Sequence, residues 1–591
     1  MPESRPAARW LVPAPDPDHL DALARRLKIS HVLAQVLVNR GIDDPADARR
    51  FLNPSLNDLH DPGLLADVDT AAERIQRAVV ERERIVIYGD YDVDGITAAA
   101  LLRQLLKMTD ADVSIYVPHR VEEGYGLNAR AIEQFAAEGV RLIVTVDSGV
   151  TAVDEVTLAN ARGIDCIVTD HHEPDAALPP ALAVVNQKRS DCTYPFPSLS
   201  GVGVAFKLAW AVAQRFSPGK RVSPEMRAFL LDALGLVALG TVADVVPLVD
   251  ENRVLTRFGL QALAATRLPG LRALLEQSGV DPGRLSSHHV AFQLAPRINA
   301  AGRIGHADLA VELLTTSSPD RAAEIAAELD GLNRERQRAE HAILQQAQEA
   351  IAAIPDFDAR RAIVLSDGRW HAGIIGIVAS RLAGDWCRPV FLIAENDAAD
   401  DDALAQGSGR SIPALDLFDA LQHCSDRLVS YGGHAQAAGL RLKREDIPWF
   451  AERFEAHCRD TLADDDMRPQ IHVDAEVGFD ALTADLLNEL DRLGPFGQGN
   501  RRPILATTGV RVCGRPRRVG RDGAHLVLVL RHGAVSHRAI GFGMGDRLDE
   551  VTRAGACDVA YRLRPDRYRG GDQVELHVTD LRLPAAGQGG P

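Results

Sequence analysis

The sequence predicts an α/β protein: a parallel-sheet domain, a second α/β domain joined to it by a long helix, and a small C-terminal β-barrel. Three observations predict it. Between residues 71 and 185 apolar strand patterns alternate with amphipathic helix patterns at short spacing, the signature of βαβ units. From Ser318 to about Ile354 runs a polar stretch rich in Glu, Arg and Gln, with Pro319 at its first turn and Pro355 just past its end, as a solvent-exposed connector helix requires. From about Pro469 the pattern changes to short alternating strands with Gly and Arg at the turns.

In the first domain the expected strands are Arg84–Tyr88, Val113–Val117, Arg141–Val146 and Asp165–Thr169, followed by mostly helical patterns to Thr316. The second α/β unit opens at Ala362–Leu365 and runs to roughly Cys458, with the acidic stretch Glu395–Asp402 as a surface loop. The barrel strands are expected at Thr508–Val512, His525–Leu530, Arg538–Phe542 and Gln573–Val578. The domain boundaries that follow are 1–66 for an N-terminal helical segment, 67–316, 317–355 for the connector, 356–465 and 466–584, with 585–591 a disordered tail. A chain of 591 residues is too long for one core and fits this division.

A formal charge of −16 argues against coating duplex DNA through bulk positive charge. It leaves room for a local basic groove: the arginines at 501, 502, 511, 515, 517, 518, 521, 531 and 538 face a single acid, Asp522, although such a run can also be a solvated face. The seven cysteines are scattered and never in Cys-x-x-Cys spacing, so they read as reduced and not as a zinc site. With no long uncharged apolar run and no leader-like N-terminus, a cytoplasmic protein without a membrane span is expected.

Ligands of parallel α/β sheets bind beyond the carboxyl ends of the strands. Three expected strands end in potential metal ligands: Asp90, Asp92 and Asp94 in Gly-Asp-Tyr-Asp-Val-Asp-Gly, then Asp147, then Asp170-His171-His172. Asp244 lies in the apolar, Gly-punctuated segment Leu234–Val249. Carboxylates crowded this tightly repel one another and are tolerable as anions where cations neutralise them. One such aspartate is more often a cap or turn residue; the whole set at successive strand ends is not. Carboxylates with an imidazole suit Mn²⁺ or Mg²⁺ better than structural zinc, and two such ions about 4 Å apart can bind a phosphoryl oxygen, activate water and stabilise the leaving oxygen. The chemistry is phosphoester hydrolysis.

Asp170-His171-His172, the Asp-x-Asp-x-Asp-Gly turn and Asp147 together resemble the DHH phosphoesterase superfamily. Gly240 to Leu248 with Glu251-Asn252-Arg253, Pro296 to Arg303, and Arg50 to Leu56 with Leu59 to Pro62 resemble one branch, the RecJ single-strand-specific exonucleases. The resemblance spans about Leu33 to Leu583. It implies that Asp92, Asp94, Asp147, His171 and Asp244 bind two metal ions, Mn²⁺ or Mg²⁺, with Asp90 either a further ligand or a partner behind the ligands. His172 then sits beside the scissile phosphate, or orients its neighbour. Arg120 and Arg303 would complete phosphate binding near the metals, or pair with the aspartates. Trp370 to Ala379, Gly407 to Ser411 and Gly432 to Ala435 resemble the DHHA1 domain of this superfamily, in which Ser408 and Arg410 would hold a 5′-terminal phosphate and Gly432, Gly433 and His434 would contact the substrate. Consecutive glycines would let backbone N–H groups approach the anion. Gln436 stands where the family pattern has methionine.

The C-terminal unit, entered through Gly494 to Asn500, resembles the OB-fold of that branch. Of its aromatic residues, Phe542, Tyr561 and Tyr568 are expected to pack in the core, leaving charge to track a single-strand backbone. The resemblance thus implies a monomeric 5′→3′ exonuclease that threads single-stranded DNA between the α/β units, releases 5′-mononucleotides and serves recombination and repair with a single-strand-binding protein and a helicase. A phosphodiesterase for very short oligonucleotides and a catalytically inert replication subunit are the competing readings.

Overall fold

In a computed structural model, which describes residues 8–14, 16–120, 123–219, 221–395, 404–566 and 573–584, the chain divides into two units. The expected tail and the acidic loop beyond Glu395 lie outside the described residues. One unit comprises residues 49–335 and 493–502; the other comprises the residues before 49, 336–492 and those from 503 onward. The connector helix, Pro319–Ala352, begins in the first and ends in the second.

Strand β1 (Arg9–Leu11), in the second unit, was not foreseen. The first unit holds β2 (Arg84–Gly89), β3 (Val113–Tyr116), β4 (Val140–Val146), β5 (Asp165–Thr169) and β6 (Ala183–Val185), all parallel, in the order β3-β2-β4-β5-β6. The strands are apolar on both faces because helices cover both. Ile85 and Ile87 of β2 join one core with helices Val93–Lys107, Gly201–Arg215 and Pro224–Ala243; Val86 and Tyr88 join the other with Ala129–Ala137 and Val153–Ala161. The chain turns from β2 to β3 on one side and to β4 on the other, so the crevice between β2 and β4 is a topological switch point. Helix Pro224–Ala243 is long and apolar enough to cross a membrane by composition alone, and 67% of its apolar window is buried inside the unit.

The Glu251-Asn252-Arg253 signature is architectural. Glu251 and Lys207 are both fully buried and form a 2.6 Å ion pair, and Glu251 also accepts from the His60 N–H at 2.8 Å and from the Tyr194 hydroxyl. Arg253 donates to the carbonyls of Phe51 (3.0 Å) and Leu493 (2.6 Å), and its guanidinium lies over the Phe51 ring. These bonds fasten residues 51–60 and the 493–500 loop to the sheet domain.

The second unit carries β7 (Ile363–Asp367), β8 (Val390–Ala394), β9 (Ala405–Arg410), β10 (Leu428–His434) and β11 (Ala437–Leu442) in one sheet of order β10-β11-β9-β8-β7, in which β7 and β8 pair in parallel and the other neighbours are antiparallel. β12 (Gln470–His472) pairs with β1. After β13 (Ala475–Glu476) come β14 (Leu505–Val519), β15 (His525–His532), β16 (Val535–Gly541), β17 (Ala556–Pro565) and β18 (Val574–Arg582); the pairing of β14 with β17 closes five strands into a barrel. β17 escaped the sequence pattern because its alternation, Ala-Cys-Asp-Val-Ala-Tyr, is weak in large apolar side chains.

Lys207→Met would leave Glu251 buried without its cation. We expect a loss of about 3–5 kcal/mol of stability for the first unit, measured as a lowered urea midpoint.

Candidate metal centre and anion cradle

Asp90 follows β2, and Asp92 caps helix Val93–Lys107 by accepting from the backbone N–H of Asp94 (2.8 Å) and Gly95 (3.2 Å). Gly95 is obligatory: a Cβ there would stand 2.6 Å from the Asp90 nitrogen. Asp94 accepts from the N–H of Gly201 (2.6 Å) and Val202 (2.9 Å), so its carboxylate sits at the N-terminus of the 15-residue helix Gly201–Arg215, where the helix dipole favours an anion. Asp147 follows β4 with a φ of 60°, a left-handed conformation rare outside glycine. His171 Nε2 lies 3.1 Å from Asp147 Oδ1 and 3.7 Å from Asp244 Oδ2. Asp244 ends helix Pro224–Ala243, and the turn after it is pinned where the Leu248 N–H donates to the Gln498 carbonyl at 2.8 Å.

All six expected metal ligands converge. Potential donor atoms of Asp90, Asp92 and Asp147, of Asp94, His171 and Asp244, and of Asp147, His171 and His172 lie within 4.8 Å of one another in each trio. Four buried atoms here, Asp90 Oδ1, Asp147 Oδ1, Asp244 Oδ2 and His171 Nε2, have no hydrogen-bond partner among the described residues. Buried polar atoms are ordinarily satisfied, so an orphaned set of hard oxygens plus one imidazole fits divalent cations. Asp90 Oδ1 shares this feature with the donor atoms of Asp147, Asp244 and His171.

Burial, then the charge of Asp92, pushes the Asp94 carboxyl up to about 7; burial, then Asp94, pushes Asp244 up to about 9; Asp90 and Asp147 rise well above the carboxylate range for the same reasons. Burial, then the neighbouring His172, drives His171 down to about 3, leaving the neutral imidazole a metal ligand requires. His172 moves the other way. Burial opposes its charged form, but its Nδ1 contact to Asp170 Oδ1 at 2.7 Å outweighs that and raises its pKa.

Two residues of this site were not singled out as site residues from sequence. Asp170 is buried and accepts from the backbone N–H of His171, His172 and Val150, which fixes the loop carrying both histidines. Its signal was present as the first letter of the Asp-His-His motif. Tyr125 has its hydroxyl 3.1 Å from the Asp147 carbonyl and 3.2 Å from His172 Nδ1, with its ring edge-on to His172. Nothing in its Gly-Tyr-Gly surroundings distinguished it from a turn. Arg120 stacks over the Tyr91 ring at 4.7 Å, and helix Ala295–Ile304, which carries Arg303, packs so closely on Tyr91 that a Cβ at Gly302 would lie 2.7 Å from its carbonyl. Both arginine charges act on Tyr91, and Arg120 also acts on Asp90.

In the second unit Ser408 and Arg410 occupy alternate positions of β9 and share a face, with Arg410 Nη1 3.2 Å from Ser408 Oγ. Beside them starts helix Ala372–Trp386, capped by His371, whose Nδ1 accepts from the Gly373 N–H; a Cβ at Gly376 would lie 2.7 Å from Ser408 Oγ. A guanidinium and a hydroxyl on one face of a strand, packed against a 15-residue helix, are groups that can receive an anion. The glycines are not the loops expected. Gly407 and Gly409 lie inside β9, between β8 and β11, with their N–H groups committed to the ladder; they are glycine because a Cβ would strike Leu440 (2.7 Å) and the Phe391 ring (2.4 Å). Gly432, Gly433 and His434 end β10, the exposed edge strand of its sheet, which pairs with β11 on one side.

In the barrel Tyr561 is buried and hydrogen-bonded to Thr507, as expected, but Phe542 is 53% exposed between the rings of His525 and His577. Tyr568 lies outside the described residues. Exposed Arg511 and Arg531 face each other across β14 and β15, a like-charge pair that favours an intervening anion.

The raised carboxyls make metal binding pH-dependent. In the metal-free fold Asp94 and Asp244 keep protons that the unfolded chain releases near pH 4, so their contribution to stability declines as pH rises through about 7 and 9. Divalent cations bind the deprotonated forms. The rise in melting temperature given by a fixed Mn²⁺ concentration should therefore be larger at pH 8 than at pH 6, with proton release on binding detectable by calorimetry in buffers of different ionisation enthalpy.

Comparison with known proteins agrees with this geometry. Residues 84–241 match the DHH family N-terminal domain, 360–460 the DHHA1 domain and 473–580 the RecJ OB domain. The single-stranded-DNA-specific exonuclease RecJ of Bacillus subtilis (strain 168) is 37% identical over 576 residues, covering 97% of this chain and 71% of that protein. That of Dickeya dadantii (strain 3937) is 35% identical, covering 96% of each. Among solved structures, RecJ of Thermus thermophilus in complex with Mn²⁺ aligns with a TM-score of 0.82 at 31% identity, covering 99% of this chain and 81% of that one. The three domains in this order, with near end-to-end identity above 30%, mean that the chain belongs to the RecJ family.

Proposed function

We propose that this chain is a single-stranded-DNA-specific 5′→3′ exonuclease that releases 5′-mononucleotides by two-metal phosphodiester hydrolysis, in DNA recombination and repair. The observation that carries the reading is the orphaned ligand set at the switch point of the β2 and β4 strand ends, in a chain whose relatives are named for this activity. Asp90, Asp92, Asp94, Asp147, His171 and Asp244 would hold two Mn²⁺ or Mg²⁺ ions. When bound, such ions supply Lewis acidity at phosphorus and neutralise charge on the attacking and leaving oxygens.

The protein's own groups do the rest. His172, whose pKa Asp170 raises and whose ring Tyr125 steadies, would hold a proton beside the scissile phosphate for the leaving oxygen. Arg120 and Arg303, bracketing Tyr91, would bind the phosphate near the metals. Ser408, Arg410 and the helix start beside them would take the 5′-terminal phosphate, which sets polarity, while Gly432, Gly433 and His434 offer the edge of β10 to the substrate backbone. The barrel's arginines would track the strand, with Phe542 available to stack a base. We further propose a cytoplasmic monomer that works with single-strand-binding protein and a helicase.

Digestion of 5′-labelled and 3′-labelled single strands with and without Mn²⁺ tests the reading. Immediate release of the 5′ label as mononucleotide, dependent on Mn²⁺, is expected; ladders retaining the 5′ label would overturn it. His172→Ala should lower turnover by about 10²–10⁴-fold while Mn²⁺ binding persists, whereas Asp147→Ala should lose the metal.

Arg511→Ala and Arg531→Ala should each weaken single-strand binding without destabilising the barrel. If each guanidinium meets one phosphate, the slope of log affinity against log salt drops by about 0.7 per substitution, measurable by fluorescence anisotropy.

A further inference from the structure

We propose that Asp419, His423 and His457, on the outer face of the second unit's α/β domain, form an additional metal site for a borderline transition cation, with zinc(II) as its first candidate. Each of the three can offer one ligand atom, and those atoms lie within 4.8 Å of one another. Asp419 and His423 stand four residues apart, on and at the end of helix Leu417–Gln422, and so share a face. His457 comes from helix Ile447–Thr461, with its ring stacked on that of His423 at 4.6 Å between centroids and 30° between planes.

Three features prepare these side chains as ligands. His423 Nδ1 lies 2.9 Å from the Asp419 carbonyl, which can only accept, so Nδ1 donates there and Nε2 is the nitrogen turned to an ion; this is how an imidazole is oriented for a metal. The inner faces of both helices, Leu417, Ala420, Leu421 and Cys424 on one and Phe450, Phe454 and Cys458 on the other, are buried in a single core. Packing therefore holds the outward-facing trio near one another, so that side-chain adjustment alone can close it on an ion. Burial, then the adjacent His423, lowers the pKa of His457 and favours its neutral form. Among charged neighbours, Asp460 and Asp426 add negative charge, and Arg453, which donates to the His423 carbonyl at 3.3 Å, opposes it.

The donor set differs in kind from the carboxylate centre. Two imidazoles and one carboxylate suit Zn²⁺, Ni²⁺ or Cu²⁺ and leave a fourth position for water, whereas five carboxylates and one imidazole suit Mg²⁺ or Mn²⁺. The site also has a mechanical connection to the cradle. The Leu417 N–H bonds the Ala435 carbonyl at 2.9 Å, and Phe418 meets Tyr431, so the helix holding Asp419 braces the end of β10 that carries Gly432, Gly433 and His434. An ion joining that helix to Ile447–Thr461 stiffens this strand.

Equilibrium dialysis of the full chain against micromolar Zn²⁺ with millimolar Mn²⁺ present, followed by elemental analysis, tests the site. The wild type should retain one zinc more than the His423→Gln/His457→Gln double variant, and Zn²⁺ should raise the melting temperature of the wild type above that of the variant. Equal zinc content in the two proteins overturns the proposal. Circular dichroism and Mn²⁺-dependent digestion of single strands should match in both; if the double variant does not fold, the same zinc count on Asp419→Asn decides. The count needs no nuclease activity, so it stands apart from the test of the exonuclease reading.

Discussion

Mutual repulsion among buried carboxylates governs the catalytic unit. Asp90, Asp94 and Asp147 are almost wholly removed from water and lie within reach of Asp92 and Asp244. In water such groups ionise near pH 4; here desolvation and one another's charge push their pKa values up, an opposition that bound cations relieve. Much of the surrounding chain exists to bring backbones close enough for this crowding. Gly95, Gly201 and Gly240 are glycine because any side chain would collide with Asp90, Asp147 or Asp94, respectively. Asp147 and Val245 take left-handed backbone conformations beside the ligands, and the helix start at Gly201 turns two N–H groups onto Asp94. Folding alone gains little from this arrangement; it is rewarded when metal binds.

A second layer keeps the centre in place from a distance. Asp244 closes the ligand set from the end of a long apolar helix, and its following turn is held by the 493–500 loop, where a Cβ at Gly497 would meet Leu248 at 2.6 Å. That loop is itself tied through Leu493 to the buried Arg253, one residue from the Asn252 that binds the Ser198 and Pro247 carbonyls. Substitution at Lys207 or Glu251 would thus act on the metal centre through the scaffold, without contact with an ion.

The parallel sheet and its ligands were legible because their signals are local. A strand followed at once by Asp-x-Asp-x-Asp-Gly, or by Asp-His-His, declares both the element and the chemistry, and the strands fall within a residue or so of where periodicity puts them. What sequence could not supply depends on distant partners. Tyr125 is a turn residue until β4 and β5 bring Asp147 and His172 beneath it. The glycines of β9 look like a phosphate loop because close packing against Phe391 and Leu440 selects the same residue that close approach to an anion would. Phe542 looked like core because an aromatic in an alternating strand usually is.

The chain's charge distribution follows the same logic as its metal centre. The protein as a whole is strongly acidic, which disfavours indiscriminate association with nucleic acid, yet the barrel sets Arg511 opposite Arg531 at a cost to its own stability. Arg538 shows what the fold does with a cation meant for internal use: it pairs with Glu575. Arg511 and Arg531 face each other in register and are exposed, which leaves them open to an anion from outside. Carboxylates waiting for cations in one unit and guanidiniums waiting for anions in the other are complementary demands, and a phosphodiester chain with its divalent counter-ions meets both.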